Sequence, residues 1–72
     1  MRNKTIKVIK LNADGHTECD VQWHTAYEMV AQGLREGLFA FCEPENVIIS
    51  NSHELHDHNV EKVILFAPIA GG

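Results

Sequence analysis

The sequence has few basic residues and no long apolar run. Lys and Arg together number 6, against 10 Asp and Glu, and the formal net charge is -4. Nucleic acid and anionic membranes are recognised by clustered cations, so both are poor partners for this chain. No apolar stretch approaches the ~20 residues that cross a bilayer. The N-terminal segment also lacks the apolar run of a signal peptide, so we expect a cytoplasmic protein.

Cysteine is scarce, with only Cys19 and Cys42 in the chain. Two cysteines allow one disulfide, but without an export signal two reduced thiols are the expectation. Cys19 alternates with Val21 and Trp23 and is expected in the core. Cys42 precedes Glu43 and is expected closer to the surface, with a thiol that is not activated.

The length leaves little room for catalysis. Seventy-two residues make one domain near the lower limit at which a core stabilises a fold unaided, so a deep substrate cleft is not expected. No serine has the context of a catalytic triad, and no glycine-rich phosphate loop is present. We therefore expect a protein that is not itself an enzyme.

The first half of the chain predicts a hairpin and a helix. Residues 5–11 are rich in β-branched side chains, Asp14-Gly15 is a strong turn signal, and residues 17–23 alternate apolar with polar. Thr25 and Glu28 have the spacing of a capping box. Gly37 is suited to a left-handed helix end. The apolar face of the helix is expected to consist of Ala26, Met29, Val30, Gly33 and Leu34.

The second half predicts shorter elements around one central strand. We expect Phe39 and Phe41 in the core, a loop over residues 43–45 and a short strand over residues 47–50. Residues 60–66 contain a run that is apolar on both faces, which is typical of a strand in the middle of a sheet. Gly33 inside the helix predicts close packing against a strand.

This order of elements predicts an α+β fold of the β-grasp, or ubiquitin-like, type. The expected architecture is a mixed four- to five-stranded sheet with one main helix packed across one face. Residues 1–66 form the domain in this prediction. Residues 67–72 form a flexible C-terminal Gly-Gly tail, because Pro68 ends the last strand.

A histidine-rich segment over residues 51–59 invites a metal hypothesis. His56 and His58 would share a face if they lay on a strand, and imidazole is a common zinc or nickel ligand. The segment is polar throughout, however, and such histidines usually lie in solvent along a sheet edge. We expect a turn with a brief edge segment here and assign no metal.

The C-terminal residues carry a family resemblance. The resembling motif is Val63-Ile64-Leu65-Phe66-Ala67-Pro68-Ile69-Ala70-Gly71-Gly72. In this motif an apolar strand leads through proline to two residues without a Cβ atom. It resembles the ends of the ThiS/MoaD family of β-grasp sulfur carriers, which are relatives of ubiquitin. Residues 47–51 also resemble the short third strand of that family.

The resemblance implies a defined chemistry at the tail. An E1-like adenylyltransferase that binds ATP and Mg would adenylylate the Gly72 carboxylate, and the carrier would need no cofactor of its own. A persulfide sulfur donor enzyme would convert the adenylate to a thiocarboxylate. That sulfur would pass to a downstream synthase in cofactor biosynthesis, of thiamine or molybdopterin for example. The residues expected to contact the partner, in its channel or as an apolar patch at the root of the tail, are Gly71, Ala70, Ile69, Pro68 and Phe66.

Two other functions remain open from the sequence. A ubiquitin-like modifier would use the same adenylate but pass Gly72 to a lysine amine. A non-conjugating β-grasp interaction module would have an inert tail.

Overall fold

The computed structural model describes residues 5–12 and 15–67, which form a small α+β domain. The strands and helices, in chain order, are β1 (Thr5–Asn12), β2 (Gly15–Gln22), α1 (Trp23–Arg35), β3 (Phe39–Pro44), β4 (Val47–Ile49), a 3-10 helix (Ser52–Asp57) and β5 (Val60–Phe66).

The sheet is mixed and has five strands in the order β2-β1-β5-β3-β4. Strand β5 lies in the middle, parallel to β1 and antiparallel to β3. Helix α1 crosses one face and contacts β1, β2, β3 and β5. The mixed sheet, the single main helix and the central last strand are thus confirmed, and the arrangement is compatible with the β-grasp fold.

The hairpin is confirmed, with pairing from Thr5↔Gln22 to Asn12↔Gly15. Gly15 has a φ of 137°, a conformation that residues with a Cβ rarely adopt. Asp14, the other residue of the predicted turn, lies outside the described residues. Trp23 was predicted to end the second strand, but it is the first residue of α1.

The predicted capping box at the start of the helix is wrong. Helix α1 begins at Trp23, and its N-cap is Gln22, whose side chain makes no capping hydrogen bond. Thr25 therefore lies inside the first turn. Glu28 lies 3.5 Å from the ring of His24, one turn earlier on the same face. The chain passes from β2 directly into the helix at Trp23. Thr25 is therefore already helical and does not have the extended backbone of an N-cap residue.

The other end of the helix matches the prediction. Gly37 has a φ of 89° and donates its N–H to the carbonyl of Leu34 at 3.1 Å. The N–H of Leu38 reaches the carbonyl of Gly33 at 2.9 Å. These two bonds form a Schellman motif, which satisfies carbonyls that the helix leaves unpaired.

Helix α1 packs closely on the centre of the sheet. Its buried residues are Ala26, Val30 and Gly33, as the apolar spacing predicted. A Cβ at Gly33 would lie 3.1 Å from both terminal methyl groups of Leu65 in β5. Glycine therefore lets the helix approach the central strand, as expected.

The core lies between α1, the 3-10 helix and one face of the sheet. Its buried apolar residues are Ile6, Val8, Ala26, Val30, Ala40, Cys42, Ile49, Leu55, Val60, Val63 and Leu65.

Two predictions around β3 are wrong, and a third is wrong in part. Phe39 is 44% exposed and Phe41 is only partly buried, while Ala40 and Cys42 face the helix and are fully buried. The pairing with β5 decides this, because Ala40 and Cys42 lie opposite the buried Leu65 and Val63. Small residues fit where the helix approaches the sheet. The predicted loop over residues 43–45 is also wrong in part, since β3 continues to Pro44.

Candidate functional site

The face of the sheet opposite α1 is the candidate site. Successive side chains of a strand point to opposite faces of the sheet. The residues that precede and follow each buried strand residue therefore lie on this second face. Within residues 5–12 and 15–67, both helices pack on the core side, and no element covers the second face. We call it the open face.

Strands β1, β3, β4 and β5 contribute large apolar side chains to the open face, whereas β2 contributes polar ones, such as Glu18 beside Ile9. The large apolar side chains are aligned by the strand register, which places Ile9 beside Ile64, Ile64 beside Phe41, and Phe41 beside Ile48. Ile48 is 58% exposed and Leu11 is 42% exposed. We call this set the apolar patch; its members are Ile9, Leu11, Phe39, Phe41, Ile48, Ile64 and Phe66.

The apolar patch extends to the last residue of β5. Phe66 lies opposite Phe39, and the two rings meet edge to face at a centroid distance of 5.6 Å and an angle of 82°. Such pairs contribute roughly 0.5–1.5 kcal/mol beyond their buried area. The chain leaves the sheet at the exposed Ala67. The patch is therefore adjacent to the start of the C-terminal residues.

Among the residues predicted to carry the chemistry, Phe66 is the one that the structure describes. It is partly buried at the tail end of the apolar patch. Pro68, Ile69, Ala70, Gly71 and Gly72 lie outside the described residues.

Sequence reasoning missed the rest of the apolar patch. The alternation Phe39-Ala40-Phe41-Cys42 did indicate that the two aromatics share one face. Hydrophobicity then assigned that face to the core. That these aromatics lie on the open face follows only from the pairing of Phe41 with both Ile64 and Ile48. The order of residues along the chain does not contain this pairing.

A row of charges crosses the opposite end of the open face. In the register, Asp20 lies beside Lys7, Lys7 beside Lys62, and Lys62 beside Glu43. The ammonium of Lys7 is 3.6 Å from Asp20, and that of Lys62 is 3.7 Å from Glu43. We call these four residues the charged row.

The histidine segment differs from its prediction. It forms the 3-10 helix, not an edge strand, and the Asn51 side chain caps it by accepting from the N–H of His53 at 2.9 Å. His56 packs against Trp23 at a centroid distance of 4.8 Å. His53 Nδ1 is hydrogen-bonded to the Tyr27 hydroxyl at 3.0 Å. These contacts attach the 3-10 helix to the start of α1.

The third histidine has a separate partner. His58 Nδ1 lies 2.7 Å from a carboxylate oxygen of Glu45, and this hydrogen bond is the main cause that lowers the pKa of Glu45. Across the described part of the chain, no group of three or more His, Cys, Asp or Glu side chains is arranged to hold a metal.

The two thiols lie on different strands, with β1 and β5 between them. Both are free. Cys42 is 1% exposed, contrary to the expected position near the surface, and burial, with a smaller contribution from Glu54, raises its pKa to about 11. Cys19 is only partly buried and packs against the edge of the core. The thiol of Cys42 is therefore neutral and unreactive at physiological pH.

Comparison of the chain with protein-family models, with curated proteins and with solved structures found no match. The described part of the chain has no helix with the length and apolar character that spanning a bilayer requires.

Proposed function

We propose that this chain is a β-grasp sulfur carrier whose Gly72 carboxylate is activated by an E1-like adenylyltransferase. The strand order β2-β1-β5-β3-β4, with β5 parallel to β1 and one helix on one face, supports the β-grasp assignment. In this proposal the partner binds the domain, and the C-terminal tail is the substrate of the reaction.

The apolar patch is the observation that supports the proposal most. Leu11, Phe39 and Ile48 in the patch are exposed and its other members are partly buried, and it ends where residues 67–72 begin. Five residues beyond Ala67 extend at most about 17 Å, which is enough to enter a partner's active site from a docked domain. Large exposed apolar patches are typical of protein–protein contact sites.

The chemistry follows from the properties of a terminal carboxylate. A carboxylate oxygen of Gly72 attacks the α-phosphate of ATP and releases pyrophosphate, which leaves an acyl-adenylate. The terminal sulfur of a donor persulfide attacks the acyl carbon, and AMP leaves. A second thiol then reduces the acyl disulfide and frees the Gly72 thiocarboxylate. Gly71 and Gly72 have no Cβ, so a narrow channel accommodates this segment.

Intact mass spectrometry tests the proposal. The protein is incubated with each E1-like adenylyltransferase of the source organism, ATP, Mg and a persulfide donor. The expected result is a mass gain that corresponds to replacement of one oxygen by sulfur. Two controls, omission of ATP and deletion of Gly72, are expected to remove the gain.

The same reaction separates the alternative functions. Adducts between the protein and lysines of other proteins, lost with Gly72, would favour a ubiquitin-like modifier. Absence of both products with every adenylyltransferase would contradict activation of the tail and leave the non-conjugating interaction module.

A variant in the apolar patch tests how the partner is bound. Phe39→Ser removes an exposed ring at the tail end of the patch and is expected to raise the KM for the carrier with little change in kcat. Arg35→Ser, an exposed change at the end of α1, is the control and is expected to leave KM unchanged. Equal KM values for the two variants would show that the partner does not use the patch.

A further inference from the structure

The outer edge of β2 is unpaired. Strand β2 pairs with β1 on one side, and among residues 5–12 and 15–67 no strand lies on its other side. Alternate residues of an antiparallel strand direct their backbone N–H and C=O groups away from the neighbouring strand. About half of the residues of β2 therefore present unpaired donors and acceptors at this edge.

This edge is better suited to pairing with a further strand than the opposite edge of the sheet. Strand β2 has eight residues, contains no proline, and keeps one register with β1 from Gly15 to Gln22. Strand β4, at the other end of the sheet, has three residues. Proteins commonly prevent unwanted pairing at an edge with short strands, proline, bulges or charged side chains. Of these four devices, β2 has the charged side chains alone, which are Glu18 and Asp20.

The open-face side of this edge is acidic. Glu18 lies beside the apolar Ile9 and has no cationic partner among the described side chains. Asp20 is 3.6 Å from the ammonium of Lys7, but its side chain remains 64% exposed. Strand β2 itself contains no Lys or Arg. A strand added at this edge would therefore place its open-face side chains next to two carboxylates, which attract cations and repel anions.

The helix side of the same edge is apolar. Cys19 and Val21 pair with the buried Val8 and Ile6 and pack against the core, yet both are only partly buried. The apolar layer of the domain thus reaches β2 with its outermost side chains incompletely covered. A further strand with apolar side chains on this side would cover them, and burial of apolar surface is favourable.

We propose that the outer edge of β2 is a docking site for an extended segment of a partner protein in which basic residues alternate with apolar ones. The backbone of the segment would pair with β2. Its basic side chains would lie next to Glu18 and Asp20, and its apolar side chains next to Cys19 and Val21. The inference does not depend on activation of Gly72, because β1 separates this edge from β5, which leads into the C-terminal residues.

The same charges argue against a second copy of this chain as the occupant. Antiparallel pairing of two β2 strands about Cys19 would place Glu18 of one copy beside Asp20 of the other. Like charges in directly opposite positions destabilise a strand pair. The two carboxylates therefore disfavour self-association and favour a cationic strand, which gives the edge specificity.

Binding of synthetic peptides tests the inference. The probe has the length of β2 and alternates lysine with valine, and the control peptide contains the same residues in two blocks. At low salt the alternating peptide is expected to bind about tenfold more tightly than the block peptide, since only the alternating one places all its cations on one face. It is also expected to slow amide hydrogen exchange at alternate residues of β2. Equal affinity for the two peptides, or slowed exchange confined to other elements, would overturn the inference.

Matched protein variants test the role of the two carboxylates. The edge variant is Glu18→Gln with Asp20→Asn, and the control is Glu28→Gln with Asp57→Asn, at exposed positions on the two helices. Both variants change the net charge equally, and urea denaturation confirms that both are folded. The edge variant alone is expected to bind the alternating peptide about tenfold more weakly, with a difference that shrinks as salt rises.

Two other outcomes would contradict the proposed docking site. An equal loss of affinity in the edge variant and the control would show that the peptide responds to the total charge of the protein. Sedimentation velocity that shows wild-type dimers, lost in a variant with a charge-neutral proline substitution at the edge, Gln22 excepted, would show that a second copy occupies β2. Either result would overturn the inference and leave the proposed function intact.

Discussion

Raising the pH above 9 is expected to destabilise the protein through Cys42. Its thiol is buried against the helix side of the sheet, and burial followed by the nearby Glu54 charge raises its pKa from 9.0 to about 11. In the unfolded chain the thiol ionises at its ordinary pKa. Between these two values the unfolded state binds fewer protons, so stability is complete below pH 9 and falls as the pH rises.

The magnitude follows from the difference between the two pKa values. The loss in the free energy of unfolding from this one group is about 1.4 kcal/mol at pH 10 and approaches about 3 kcal/mol above pH 11. Domains of this size have a total stability of roughly 4–11 kcal/mol. The loss is therefore large enough to shift a urea midpoint measurably.

The assay is urea denaturation from pH 7 to pH 10 for the wild type, Cys42→Ala and Cys19→Ala. The three proteins share every other ionisable group apart from the two thiols, so the contribution of those shared groups cancels in the comparison. The wild type and Cys19→Ala are expected to lose about 1.4 kcal/mol more than Cys42→Ala by pH 10. Parallel losses in all three proteins would refute the reasoning, as would a Cys42 thiol that reacts with a disulfide reagent in the folded state as fast as Cys19.

Three further predictions concern packing, the helix end and acid stability. Leu65→Ala empties a fully buried position and is expected to cost about 2–5 kcal/mol in the free energy of unfolding, whereas Ile48→Ala, at a position 58% exposed, costs far less; equal urea midpoints would contradict this. Gly37→Ala forces a Cβ into a left-handed conformation and is expected to cost about 1–2 kcal/mol, with Gly37→Asn less costly; an Asn variant no more stable than the Ala variant would argue against the helix end described above. The lowered pKa of Glu45 contributes stability above its ordinary value of 4.5 that is lost as the pH falls, so Glu45→Gln is expected to flatten the acid side of the stability curve, and an unchanged acid limb would count against the contact with His58.

The sequence predicted those parts of the fold that local patterns determine. The left-handed Gly37, the buried stripe of α1 and the central position of β5 each have a signal within one segment. The predicted start of the helix was wrong because Thr25 and Glu28 have the spacing of a capping box, whereas the chain enters the helix directly from β2, two residues before Thr25.

The open face was missed because it depends on long-range register. Phe39 and Phe41 are more hydrophobic than Ala40 and Cys42, and a local reading places the larger residues inside. Pairing with β5 reverses the choice, since the core side at this point is crowded by α1. The meeting of Lys7 with Lys62 depends on the same parallel pairing, across a separation of more than fifty residues.

The most direct test of the central claim is electrophoresis of a cysteine-free protein, Cys19→Ala with Cys42→Ala, in a gel that contains an immobilised mercury reagent. Without thiols, only a thiocarboxylate retards the protein. We predict a retarded band when the protein is purified from its own cells with an N-terminal tag, and loss of that band when Gly72 is deleted. A cysteine-free protein that is never retarded, with the wild-type tail intact and its adenylyltransferases present, would contradict the claim that Gly72 carries sulfur.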